Sequence, residues 1–264
     1  MSNTMRNGGE SGSKPIVVFG ATSDVAIALS RRYAQEGASL ILVGRNESRL
    51  TAVADDLRVR GALHVRTLLQ DSLTYDDHPT LVESLFTDHA PAKFYFFQGS
   101  LPDQAACEAS FEVTREAVEV NFLSIVSYLT WLASALERRP GEKGAAGGAS
   151  IIVVSSVAGD RGRGSNYVYG ASKGGLTIFL QGLRNRLHKS NHGVLTVKPG
   201  FIDTKMTADI EKGGPLWAKP EKVADDIRLA ADGGRMVLYT PWFWQFIMLV
   251  IKSIPEGIFK RLSL

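Results

Sequence analysis

Seven short apolar runs, separated by segments with helical periodicity, limit most strongly what this chain can fold into. They are IVVFG (16–20), LILVG (40–44), HVRTLL (64–69), FYFFQG (94–99), SIIVVSS (150–156), VLTVKPG (194–200) and MVLY (236–239). Most are continuous rather than alternating, which implies burial on both faces of a parallel sheet. Helices between consecutive strands must then cover both sides by right-handed crossovers. The expected fold is α/β, a doubly wound parallel sheet, in one domain over 15–240 with an apolar, basic-flanked helical extension of the same domain over 241–264. A chain of 264 residues fits one such core. Residues 1–14, MSNTMRNGGESGSK, read as a disordered tail and not as a signal peptide. The stretch RRPGEKGAAGGA (138–149) reads as a flexible surface loop.

Charge and cysteine content exclude several classes. Thirty basic against 27 acidic residues leave a formal +3, too small a surplus for a nucleic-acid footprint. The single cysteine, Cys107, supports neither an internal disulfide nor a thiolate metal site, so a reducing, cytoplasmic setting is expected. His188 and His192 are four apart, but Ser190, Asn191 and Gly193 mark the end of a helix there, and no metal is expected. Asn46-Glu47-Ser48 has the form of a glycosylation site without a secretory route to it. Glu116, Glu119 and Glu137 read as exposed helix faces.

Gly20-Ala-Thr22-Ser23-Asp24-Val25-Ala26 closes the first run and opens a helix ending at Gly37. Strand, glycine turn and helix N-terminus together make an anion site, because unpaired N–H groups and the helix dipole favour a pyrophosphate. Asp24 and Ala26 stand where such a turn often has glycine; the alternative is Asp24 as the N-cap of a structural helix. The second run ends Gly44-Arg45-Asn46, where an NAD site would place a carboxylate on the ribose. With no carboxylate and an arginine instead, NADP(H) is preferred over NAD(H). A solvent-facing Arg45 is the alternative.

Ser156 ends the fifth run, and Tyr169 and Lys173 follow four apart in YGASKGGLTIFLQGL. On a helix that spacing puts phenol and ammonium on one face. Lowering a phenol pKa from about 10 to about 7 takes roughly 4 kcal/mol. One positive charge about 4 Å away at an effective dielectric near 20 supplies about that much. The pair is expected to act as a general acid/base, with Ser156 donating to a carbonyl or developing alkoxide. A Tyr-x-x-x-Lys alone is common by chance.

With Ser156 lying 13 residues before that Tyr-x-x-x-Lys, the chain resembles the short-chain dehydrogenase/reductases, from about Pro15 to the C-terminus. The spacing selects Ser156 over Ser155 and Tyr169 over Tyr167. The resemblance implies a Rossmann fold, with Ser156, Tyr169, Lys173 and Asn121 (in VNFLSIV) as catalytic residues. Asn121 would hold a water of the proton relay. Cofactor contacts implied are Gly20, Thr22, Ser23, Asp24, Val25, Arg45, Asp71 on the adenine side, Gly99, Tyr169, Lys173, and Pro199, Gly200, Ile202 and Thr204 beside the nicotinamide. Phe97-Gln98 replace the usual Asn-Ala before Gly99. Homodimers or homotetramers built through the helices of Asn121 and Tyr169 are implied as well.

GATSDVA, SSVAGDRGRGSNYVYGASK and the tail YTPWFWQFIMLVIKSIPEGIFKRLSL are similar to a branch of that family, the decaprenylphosphoryl-2-keto-pentose reductases. That likeness implies a keto sugar on a polyprenyl phosphate as substrate and a flavoprotein oxidase as partner. The apolar stretch 242–251 is ten residues long, about half of what crosses a bilayer. Flanked by Lys252, Lys260 and Arg261, it suits peripheral contact with a membrane through 242–262. Packing under the sheet or against another subunit is the alternative. A soluble or acyl-type ketone is the second enzyme reading. A non-catalytic nucleotide-binding scaffold is the third, against which the intact Ser156, Tyr169, Lys173 and Asn121 argue.

Overall fold

The computed structural model describes residues 14–87, 90–142, 148–208 and 211–262. All of the expected 1–14 tail except Lys14, and the centre of the 138–149 loop, lie outside the described residues. In chain order the elements begin with β1 (Ile16–Phe19), α1 (Asp24–Gln35), β2 (Ser39–Gly44), α2 (Glu47–Val59), β3 (His64–Leu69), α3 (His78–Ser84) and β4 (Lys93–Phe96). Next come α4 (Gln104–Ala109), α5 (Phe111–Val118), α6 (Ser124–Glu137), β5 (Ser150–Val154), α7 (Tyr167–His188) and β6 (Gly193–Pro199). The chain ends in β7 (Phe201–Ile202), β8 (Trp217–Ala218), α8 (Pro220–Asp232), β9 (Val237–Thr240), α9 (Trp244–Ser253) and α10 (Glu256–Phe259).

All seven expected strands lie in one sheet of order β3-β2-β1-β4-β5-β6-β9, and every pairing is parallel. Along β1 the side chains alternate between two cores. Ile16 and Val18 join α1, α2 and α8 on one face, whereas Val17 and Phe19 join α3, α6 and α7 on the other. The edge strand β3 departs from the expectation of burial on both faces, since most of its residues are exposed. The helical stretch Phe111–Glu137 is long and apolar enough to cross a membrane by composition. Ile125, Leu129, Leu132 and Leu136 are buried against the sheet, however, as in a core helix.

Chain order reverses between β1 and β4, so their C-terminal ends, carrying Gly20 and Phe97 to Gly99, open a crevice of the kind where α/β sheets bind ligands. Two features were not expected from the sequence. A π turn, Glu119–Leu123, joins α5 to α6. A two-residue parallel ladder, β7 with β8, pins the segment after β6. In the C-terminal extension, Trp244 and Met248 of α9 are buried against Val157, the packing that the sequence left as an alternative to membrane contact.

Candidate active site

The crevice is a cavity of about 600 Å³. At its β1 end Gly20 has φ +67°, and a Cβ there would lie 2.8 Å from the backbone nitrogen of Gln98, so only glycine lets the two strand ends approach this closely. The N-cap of α1 is Ser23, whose Oγ accepts from the Ala26 amide at 3.2 Å. Asp24 is therefore not the cap; its carboxylate accepts from the Lys205 amide at 2.8 Å. Thr22, Ser23, Asp24 and Val25 all line the cavity.

Arg45 is exposed on the same wall and makes no side-chain bond to another described residue. Arg49, which sequence reasoning missed, stands beside it and donates from Nη2 to the Thr22 carbonyl at 3.0 Å. The available signal was Asn46, the N-cap of α2, which places Arg49 in the first turn facing the glycine loop. Asp71 is not among the residues brought to the cavity. Its Oδ1 accepts from the Leu73 amide at 3.0 Å in its own turn, and its neighbours Gln70 and Ser72 line the wall instead. A glycine cradle with no room for a side chain, a helix N-terminus and an unpaired arginine fit the pyrophosphate and ribose phosphate of a dinucleotide.

At the far end β5 delivers Ser155 and Ser156 in opposite roles. Ser155 is buried under α7, donating to the Lys173 carbonyl at 2.9 Å and sharing a hydrogen bond with Thr177 at 2.8 Å. Ser156 faces the cavity and accepts from the Ala158 amide at 3.1 Å, capping the 3-10 turn Val157–Asp160. That turn packs on α7 through glycine alone: a Cβ on Gly159 would lie 2.6 Å from the Gly174 nitrogen. The close approach sets Ser156 against Tyr169 and Lys173, and all three line the cavity. Tyr167 is exposed outside it.

Lys173 is buried, donates from Nζ to the Val154 carbonyl at 3.0 Å, and lies 5.8 Å from the centre of the Tyr169 ring. Burial lowers its pKa to about 8. The Tyr169 phenol is pushed up, not down, because burial outweighs the opposing hydrogen bond from Ser156. The expectation of a phenol lowered by its lysine is thus corrected for the protein alone: the spacing gives proximity, and desolvation decides the direction. Asn121 sits in the π turn, fully buried. Its Oδ1 accepts from the Ser100 amide at 3.0 Å and its Nδ2 donates to the Ala117 carbonyl at 2.9 Å. It holds the Gly99–Ser100 bend, and Gly99 but not Asn121 lines the cavity.

Pro199, Gly200, Ile202 and Thr204 form the third wall. Thr204 and Thr207 cap the turn Lys205–Thr207 reciprocally. The indole of Trp244 packs against Gly200, where a Cβ would fall 1.9 Å from Nε1. Arg163 and Asn166, on the loop between Ser156 and Tyr169, complete the lining and were not singled out from the sequence. His192 is engaged by backbone, accepting from Ala149 at 3.0 Å.

Comparison with known proteins agrees with this geometry. The family model described as short chain dehydrogenase matches residues 14–214. An uncharacterized oxidoreductase of Mycobacterium tuberculosis is 35% identical over 96% of this chain and 98% of its own length. Sulfoacetaldehyde reductase 2 of Chromohalobacter salexigens is 31% identical over 85% of this chain and 87% of its own. Among solved structures, a short-chain dehydrogenase from Sphingobium yanoikuyae in complex with NADPH superposes with a TM-score of 0.77 at 21% identity, covering 92% of this chain and 97% of that one.

Proposed function

The chain belongs to the short-chain dehydrogenase family and is an NAD(P)-dependent oxidoreductase, and from that premise we propose that it reduces a carbonyl to an alcohol with NADPH as the preferred donor. One observation carries the proposal: Ser156, Tyr169 and Lys173 line the same cavity as the Gly20 cradle and Arg45. Gly20 to Val25 would hold the pyrophosphate, Arg45 and Arg49 the ribose phosphate, and Pro199 to Thr204 the nicotinamide side. NADPH, when bound, supplies the hydride. Ser156 orients the carbonyl through its hydroxyl, and Tyr169, a phenol that carries its proton at neutral pH, gives that proton to the carbonyl oxygen. Lys173 resupplies that proton, and Asn121 positions the bend and the water behind it.

Within this class the finer proposal is a keto sugar on a polyprenyl phosphate, produced by a flavoprotein oxidase partner. Its support is the motif likeness and the exposed apolar face of the C-terminal segment, where Trp242, Phe246, Leu249 and Val250 stand beside Lys252 and Lys260. That face would rest on an anionic membrane. Exposed Leu123 at the end of the π turn before α6, Trp131 on α6 and Ile178 on α7 support a homodimer or homotetramer through these helices. A soluble carbonyl is the second reading, favoured by the relative named for sulfoacetaldehyde. Assay of the purified protein with NADPH and a prenyl-phosphoryl 2-keto pentose separates them. Turnover there supports the lipid-linked sugar; none there, with brisk turnover of sulfoacetaldehyde, replaces it with the soluble substrate.

A further inference from the structure

Two arginines, separated by Gly162, leave the loop between Ser156 and Tyr169 for opposite fates. Arg161 is fully engaged with the C-terminal segment. Its Nη1 donates to the carbonyls of Ile251 at 3.0 Å and Ile254 at 2.6 Å, its Nη2 to Glu256 at 2.7 Å, and its guanidinium lies 3.8 Å above the Phe259 ring. Arg163 has none of this. It lines the cavity with Nε buried and unpartnered, and no carboxylate of a described residue lies within ion-pair distance of it. Glu116, on the same cavity wall, is exposed and not paired with it.

Asn166 repeats the pattern. It precedes α7 as the N-cap residue but makes no capping bond with its side chain, and its Oδ1 is buried without a partner. Turned over, the amide presents its NH₂ to the cavity. The N-terminus of a 22-residue helix stands behind it, adding partial positive charge. Arg163 as a whole is half-buried, but its guanidinium cannot shed its proton at neutral pH, so leaving the buried Nε unpaired is costly unless a ligand completes it. The matching group is a planar or tetrahedral oxyanion, which accepts from the guanidinium fork.

We propose that Arg163, assisted by Asn166, anchors an oxyanion carried by the carbonyl substrate: a carboxylate, sulfonate or phosphate on the molecule whose carbonyl meets Ser156 and Tyr169. The inference rests on the carbonyl-reductase reading and adds the substrate's charge class and the residue that reads it. An uncharged ketone of the same size leaves the guanidinium unpaired, which is how such a site discriminates.

Calorimetric titration of the protein saturated with NADP⁺, so that the cofactor's phosphates already occupy their own sites, tests the anchor without turnover. The probes are isethionate, glycerol phosphate and lactate, alcohols bearing a sulfonate, a phosphate and a carboxylate. At least one is expected to bind, and which one identifies the oxyanion. Arg163→Gln is expected to weaken it about 10- to 100-fold, the range for a hydrogen bond to a charged group, with Arg163→Lys recovering part and NADP⁺ affinity unchanged. Binding of none of the three to the wild-type complex overturns the proposal. So does equal binding by Arg163→Gln, or a parallel loss of NADP⁺ that would assign Arg163 to the cofactor. Anion binding without reduction of sulfoacetaldehyde, pyruvate or dihydroxyacetone phosphate overturns the reductase reading and leaves the anchor standing. Reduction of uncharged ketones with no anion binding does the reverse.

Discussion

The carboxylate of Asp24 accepts a hydrogen bond from the backbone amide of Lys205 at 2.8 Å, tying the first strand-to-helix turn to the loop beyond β6. The carboxylate lies at an α-helix N-terminus, which it stabilises, but also in the wall meant for a pyrophosphate, which it repels. Asparagine keeps the acceptor and removes the charge. Asp24→Asn is therefore expected to tighten NADPH roughly threefold, the effect of one screened charge at a few ångströms. Asp24→Ala, lacking the acceptor, is expected to raise hydrogen exchange across residues 203–207. Fluorescence titration and exchange mass spectrometry read the two effects; weaker NADPH binding by Asp24→Asn would assign the carboxylate to holding the cofactor.

Arg45 stands exposed on the cavity wall without a side-chain partner among the described residues, and Arg49 is already committed to the Thr22 carbonyl. Arg45→Ala is expected to weaken NADPH by about tenfold or more, the loss of one charge-assisted contact, while NADH changes less than about twofold. The double change with Arg49→Ala should widen the gap. Equal losses for both cofactors would return Arg45 to the solvent-facing reading.

Lys173 makes stability depend on pH in a definite direction. Its folded pKa, about 8, lies below the usual 10.5, so burial of the ammonium is unfavourable. The penalty is full below about pH 8 and is relieved as pH rises toward 10.5. Lys173→Met is expected to inactivate the enzyme yet raise its stability at pH 7 by about 1–2 kcal/mol, the lost Val154 contact offsetting part of the gain. Denaturant unfolding should show that advantage shrinking as pH rises from about 8 toward 10. An advantage that grows with pH would contradict the burial argument.

The C-terminal segment divides between core and surface. Trp244 packs on Gly200 and Met248 on Val157, so truncation before α9 would strip the cofactor-side loop of its support. Loss of two buried side chains of this size is expected to cost at least about 3 kcal/mol. Phe246, Leu249 and Val250 are exposed, and changing all three to serine should leave the fold intact. Sedimentation with vesicles rich in phosphatidylglycerol is expected for the wild type and abolished in the triple variant. Equal sedimentation of both, or of neither, removes the membrane from the account.

The fold was largely legible because a strand buried on both faces leaves a continuous apolar run, and five such interior strands and the two edge strands, β3 and β9, all reached the sheet. The proposed catalytic set was legible as a constellation because a fixed spacing encodes it, and the structure brings Ser156, Tyr169 and Lys173 to one cavity. What the sequence hid depends on tertiary contact. The β7–β8 ladder is two residues long and carries no periodicity. The segment 244–253 is apolar enough to suit a membrane or a core, and only the Trp244–Gly200 contact decides which residues do which. Arg161 and Arg163 read alike in GDRGRGSN, although one is tied to Glu256 and the other faces the cavity unpaired. The direction of the Tyr169 shift follows from burial, which no spacing reports.

Transfer of deuterium from nicotinamide-labelled NADPD to a carbonyl substrate, followed in a single turnover by wild type and Tyr169→Phe, tests the central claim most directly. Label is expected on the new carbinol carbon, with the variant slower by about 10²- to 10⁴-fold, the usual contribution of a positioned acid, and NADPH bound as tightly as before. No label in the alcohol, or equal rates for the two proteins, would contradict it.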